Sequence, residues 1–151
     1  MINLNSKGQS FAVFKLLIGA IVALAILSII VGIISYFDNI KIQISEKRMI
    51  DSLVSAANAP GSVVKAEKLS FNKGASYSKK VFGNAVNISE ECVSLDSDGS
   101  AFDNSSGNAI IIVNNSQADV FVKCVPPTDA SFNPSCTGQL SCTVSFGKQL
   151  S

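Results

Sequence analysis

Four cysteines, Cys92, Cys124, Cys136 and Cys142, are the side chains best suited to covalent chemistry in this 151-residue chain. Histidine is absent altogether, which removes Ser–His and Cys–His nucleophile pairs and every imidazole metal ligand. An even number of cysteines in a small domain outside the cytoplasm reads as two disulfides, with three connectivities open. The expected pairing is Cys92 with Cys124 and Cys136 with Cys142, because the second closes a short loop and the first ties two predicted strands. Buried free thiols are the plainer alternative. A four-cysteine zinc site would need C-x-x-C pairs, and none occurs. In "DSDGSAFD", Asp96, Asp98 and Asp103 offer oxygen ligands to calcium. The glycine follows the second acid too soon for an EF-hand loop, so a solvated turn is expected and no metal site. Three sequons, starting at Asn87, Asn104 and Asn114, are candidate glycosylation acceptors. Carboxylates are otherwise scattered, and no glycine-rich phosphate loop or basic stripe is present. The chain is therefore expected to be no enzyme, to carry no cofactor and to bind no nucleic acid.

These residues need elements to hold them, and hydropathy divides the chain in two. Hydrophobic residues make up 47% and charged ones only 15%, with a mean hydropathy of +0.36. Most of that excess lies early. No charge occurs from Leu16 to Phe37, and the first acid is Asp38. At ~1.5 Å per residue the uncharged run makes a helix of about 33 Å, enough to cross a bilayer core. Lys7 and Lys15 precede it and Asp38 with Lys41 follow it, so the N-terminus is expected in the cytoplasm and everything after about residue 38 outside. The helix is expected to continue to the stop at Pro60-Gly61, turning amphipathic through Ile40, Ile44, Leu53, Ala56 and Ala57. "IKIQIS" is the one part of it that also reads as a strand.

Beyond residue 60 the pattern is that of a small antiparallel β-domain of four to five strands. Strand-like segments are "SVVKAEKLSF", "ECVSL", "AIIIV", "DVFVKCV" and "LSCTVSF". "AIIIV" and "DVFVKCV", separated by "NNSQA", read as a β-hairpin. "NKGASYSKKVFGN" and "PPTDASFNPSCTGQ" read as loops. The expected class is α+β, with residues 1–8 a leader, 9–59 a long helix and 60–151 a disulfide-linked β-domain. A core this small gains from disulfides and from packing on the amphipathic half of the helix.

The order of the opening residues carries the functional signal. A secretory signal places its small-residue cut after a short apolar stretch; here the small residue, Gly8, comes before a long one. Cleavage between Gly8 and Gln9 would remove a polar leader and leave the apolar helix at the new N-terminus. "KGQ" followed by "SFAVFKLLIGAIVALAILSIIVGII" resembles the class III signal peptide of archaeal type IV pilins over residues 4–37. The resemblance implies processing by a membrane prepilin peptidase. It further implies assembly, through an ATPase and a membrane platform protein, into a homopolymer whose core is a bundle of these helices. Where bacterial pilins carry a glutamate, the fifth residue after the cut is Val13, so the archaeal variety fits better.

Gly19 with Ala23, and Ser28 with Gly32, are small-x-x-x-small pairs that permit close helix approach. At 100° per residue the pairs face opposite sides, as packing among several neighbours requires. Lys15 reads as a topogenic charge whose stem can snorkel. Two functions from different classes are thus expected. The first is a surface-filament subunit displaying its domain for adhesion or contact, with a minor-pilin or pseudopilin variant. The second is a single-pass anchored binding module outside the cell.

Overall fold

Residues 6–129, 133, 134, 136 and 138–150 are described by a computed structural model of the chain. They fall into two units, Met1–Ile40 and Lys41–Ser151. No proline precedes Pro60, and one helix, α1, runs from Ser6 to Asn58. "IKIQIS" is therefore helical. Its β-branched residues yield to the spacing of Ser45, Met49, Leu53 and Ala56, which puts four buried positions on one stripe. Ile44, expected on that stripe, is 52% exposed, and Ser45 takes the place beside it. Pro60 lacks an N–H, and Gly61, at φ +89°, redirects the chain and donates its N–H to the Cys124 carbonyl at 2.7 Å.

The second unit folds around two sheets. β1 (Val63–Phe71), β6 (Ser116–Val125), β7 (Ser141–Phe146) and β3 (Val93–Ser97) lie in that order in the first sheet. β2 (Ser76–Ser78), β5 (Ala109–Ile112) and β4 (Phe102–Asp103) form the second, in the order β2-β5-β4. The domain is rich in antiparallel pairs, and the expected α+β class holds. One pair departs from the antiparallel expectation: β3 runs parallel to β7. The chain between them passes through β4, β5 and β6, long enough for the crossover a parallel pair needs.

The expected hairpin between "AIIIV" and "DVFVKCV" does not form. β5 pairs with β2 and β4, whereas β6 pairs with β1 and β7. The same register continues from Leu69↔Ala118 through Ser78↔Ala109, bridged by hydrogen bonds from Gly74 N to Ile112 O and from Ile112 N to Ala75 O. β5 and β6 are thus consecutive stretches of one bent path, facing an equally bent β1–β2. Asn115 Oδ1 accepts from Lys73 N at the bend, 2.7 Å, replacing a ladder bond with a side chain.

The stretch read as the loop "NKGASYSKKVFGN" holds β2 and a helix, α2 (Lys79–Val86). Phe82, Ala85 and Val86 supply its inward i, i+3, i+4 stripe, and Asn87 ends it in the left-handed region at φ 56°. Aromatic side chains fill the centre. The Phe146 ring lies 5.4–6.5 Å from the centroids of Phe102, Phe71, Tyr77 and Phe82. Met49, Leu53 and Ala56 of α1 belong to the same buried cluster.

The cysteines pair differently from expectation: Cys92 with Cys136, and Cys124 with Cys142. Topology is the reason. β7 lies between β6 and β3, so Cys92, the residue immediately before β3, is two strand spacings from Cys124, or ~9.6 Å, beyond disulfide reach. Cys124 and Cys142 face each other directly across β6 and β7, with Cα atoms 4.0 Å apart. Cys136 is left for Cys92, and their bond pins the 126–140 connection to the base of β3.

Candidate functional site

The feature most suited to a function is the surface of α1 in the first unit. From Phe11 to Asn39 every side chain is exposed, including Leu16 at 76%, Val13 at 66% and Tyr36 at 65%. Its most apolar window has a mean hydropathy of 3.1, and the helix is long and apolar enough to cross a membrane. A helix satisfies its own backbone polar groups, which a dry surrounding demands. The two serines there follow the same logic. Ser28 Oγ donates to Leu24 O at 2.9 Å and Ser35 Oγ to Val31 O at 3.2 Å, leaving neither hydroxyl dependent on water.

Gly19 and Gly32 border open space, since an added Cβ on either would meet nothing within 4 Å. With Ala23 and Ser28 they leave shallow flanks on two sides of the helix. Lys15 places its ammonium 4.7 Å from the centre of the Phe11 ring, one turn earlier. Gly8 and Gln9 lie in the opening turns of α1. Residues 1–5 of the expected leader, like residues 130–132, 135 and 137 of the connection before β7, lie outside the described residues.

In the second unit the distal part of α1 is fastened by two polar contacts. Ser45 Oγ donates to Lys41 O at 2.8 Å and accepts from Ser70 N of β1 at 2.9 Å. The Tyr77 hydroxyl donates to Glu46 Oε1 at 3.1 Å. Burial first, then the Glu46 charge, keeps that phenol protonated well above its ordinary range. Neither contact was anticipated from sequence. Serine four residues after a charged Lys41, on an otherwise apolar stripe, is the only hint of the first.

β1 is kinked at Lys68, a non-glycine residue at φ 52°, where the ladder register shifts. Asp119 holds the kink, accepting from Lys68 N at 2.9 Å and pairing with Lys65 Nζ at 2.9 Å. Those contacts, the backbone one foremost, lower the Asp119 pKa below its ordinary value. Lys65, bonded to Asp119 and then Glu67, is shifted up.

The sequons separate by accessibility. Asn87 and Asn114 are exposed. Asn104 is half-buried, and its Nδ2, the atom that would carry a glycan, donates to Leu95 O at 2.7 Å. The aspartates of "DSDGSAFD" each serve a local purpose. Asp98 accepts from Ser100 N and Oγ, Asp103 from Ser105 N, and Asp96 pairs with Lys148 at 2.8 Å. Among the described residues, no group of three or more acidic or cysteine side chains is placed to hold a metal ion.

No family model, no curated protein and no solved structure matches the chain. What the fold defines is a chain with a membrane-capable apolar helix and a small disulfide-bonded α+β domain. The helix and the disulfides together suggest membrane anchoring, with the domain in an oxidising compartment.

Proposed function

We propose that this protein is a structural subunit of an archaeal type IV pilus-like surface filament. A prepilin peptidase removes residues 1–8, the membrane holds α1 until a platform protein engages it, and copies then assemble into a homopolymer. The β-domain is displayed for adhesion or contact, and the role is not catalytic. The observation that supports this best is the complete exposure of α1 from Phe11 to Asn39. Apolar residues cover all sides of that stretch, and small residues flank two of them, so it suits many neighbours rather than one. Gly8, the small residue ahead of the run, supplies the cutting point.

The test is Gly8→Leu in the producing cell. The substituted chain is expected to keep its leader, stay in the membrane fraction and give no filaments. Normal maturation and assembly of Gly8→Leu would remove the cleavage assignment. A wild-type chain that is never cut and remains a lone membrane protein would instead favour the anchored binding module.

A further inference from the structure

A cleft of about 570 Å³ opens on the β-domain beside the kink in β1, within the roughly 300–1,000 Å³ that takes small ligands. Lys65, Asp98, Gln117, Asp119 and Gln149 supply its polar lining, and Phe121 its aromatic ring. All six belong to the second unit. The kink positions two of them. Asp119 Oδ1 accepts from Lys68 N at 2.9 Å, and Gln117 Nε2 donates to Lys68 O at 3.3 Å. A non-glycine residue at φ 52° is held there only where its surroundings fix it, and both side chains that fix Lys68 line the cleft. Lys65 is held in turn by Asp119 Oδ2 at 2.9 Å and Glu67 Oε1 at 3.0 Å, with its ammonium 5.6 Å from the centre of the Phe121 ring. Gly147 closes one side. Its N–H donates to Asp119 O at 2.9 Å, and a Cβ there would stand 2.6 Å from Asp98 Oδ2.

Polar groups already fastened by their own chain lose little freedom when a ligand arrives. They also keep capacity to spare, since a carboxylate offers about four acceptor positions and Asp119 fills two of them with Lys68 and Lys65. The lining selects against charge. Two carboxylates oppose an anion, and the fixed Lys65 ammonium opposes a cation. What suits the cleft is a neutral molecule that both donates and accepts hydrogen bonds and carries an apolar face for the ring. Phe121 is half-exposed, whereas the five other described rings of this unit, those of Phe71, Tyr77, Phe82, Phe102 and Phe146, are buried. A sugar ring meets all three demands, through its hydroxyls and its C–H face. We propose that this cleft binds a neutral saccharide on the surface that the domain contacts, with Phe121 against the sugar's C–H face and Asp98, Asp119 and Gln149 bonding its hydroxyls. This names the contact target within the filament reading above and rests on the outward display of the domain; the binding itself needs no assembly.

The test is to screen the full chain, in zwitterionic detergent micelles, on an array of neutral, sialylated and sulfated oligosaccharides. Binding is expected to favour neutral members. Titration with the best of these should shift the backbone amides of residues 117–121 and 147–149 saturably, with a Kd on the order of 1 mM. Gln149→Ala removes an exposed side chain and should weaken binding about fivefold. Phe121→Leu keeps apolar bulk without the flat ring and should weaken it as well. Lys80→Ala, in the separate cleft beside α2, should leave it unchanged, and near-UV circular dichroism shows that each variant is folded. No binding to any neutral oligosaccharide, a preference for the anionic ones, or unchanged affinity in both cleft variants would overturn the site. Filaments that form while the isolated chain binds no saccharide overturn the site alone. An uncut, unassembled chain that binds the neutral sugar overturns the filament and keeps the site.

Discussion

Replacing Ser45 by alanine separates a tether from an ordinary helix serine. In the wild type the Ser45 hydroxyl, 5% exposed, bonds two backbone groups, Lys41 O within the helix and Ser70 N on β1. Alanine leaves the Ser70 N–H, half-buried, without its acceptor. An unsatisfied buried donor costs about 1–3 kcal/mol, and partial water access places this one near the lower end. Against it stands alanine's better helix propensity, worth roughly 0.5 kcal/mol. The expected net result is a loss of about 1 kcal/mol. Ser55 is the control. It is exposed and bonds only Asp51 O, four residues back, so Ser55→Ala should gain about 0.5 kcal/mol.

The two substitutions are chemically identical and on the same helix, yet opposite in sign. Urea unfolding of the full chain in detergent micelles, followed by near-UV circular dichroism, gives both values. Amide exchange at Ser70 supplies the local readout and should accelerate in Ser45→Ala alone. A neutral or stabilising Ser45→Ala, with Ser70 exchange unchanged, would refute the tether.

Four further outcomes follow from particular contacts. A non-reducing digest should contain Cys92–Cys136 and Cys124–Cys142 peptides; a Cys92–Cys124 peptide would contradict the strand order. Removing the Cys124–Cys142 bond, which closes a separation of 18 residues, should cost about 3 kcal/mol by loop entropy, measurable as a lower urea midpoint. Because the folded Asp119 pKa lies below its ordinary 3.8, its stabilising contribution is full above that value and fades as pH falls through the lowered one. Asp119→Asn should therefore be less stable than wild type at neutral pH, with the gap closing in acid; a gap independent of pH would refute this. Glycopeptide mass spectrometry should find any N-linked glycan on Asn87 or Asn114 and none on Asn104, whose amide already bonds Leu95 O.

Local features of this fold are plain in the chain, and long-range pairings are not. The start of the apolar run, the stop at Pro60-Gly61 and most strand segments follow from residue type at short range. The partners of those strands do not. "AIIIV" and "DVFVKCV" look like hairpin arms because a polar stretch separates them. Yet Asn115 uses its side chain to bond Lys73 N, so the polar stretch is a bend in one path rather than a reversal. The disulfide error has the same origin, since only the strand order reveals that β7 separates Cys92 from Cys124. α2 was hidden because Gly83 and Asn84 resemble loop residues. Gly83 is there for space, as a Cβ would come 2.8 Å from Ile88 O. In the candidate site, the exposed apolar surface and its small residues were legible because a helix shows its surface in its own period. The Ser45 and Tyr77 contacts each needed a partner more than 20 residues away.

The most direct measurement is the identity of the first residue in material sheared from the cell surface and purified as filaments. The account predicts a chain that begins at Gln9, lacks residues 1–8 and makes up the filament body. A chain still beginning at Met1, recovered only as single molecules in the membrane fraction, would contradict it.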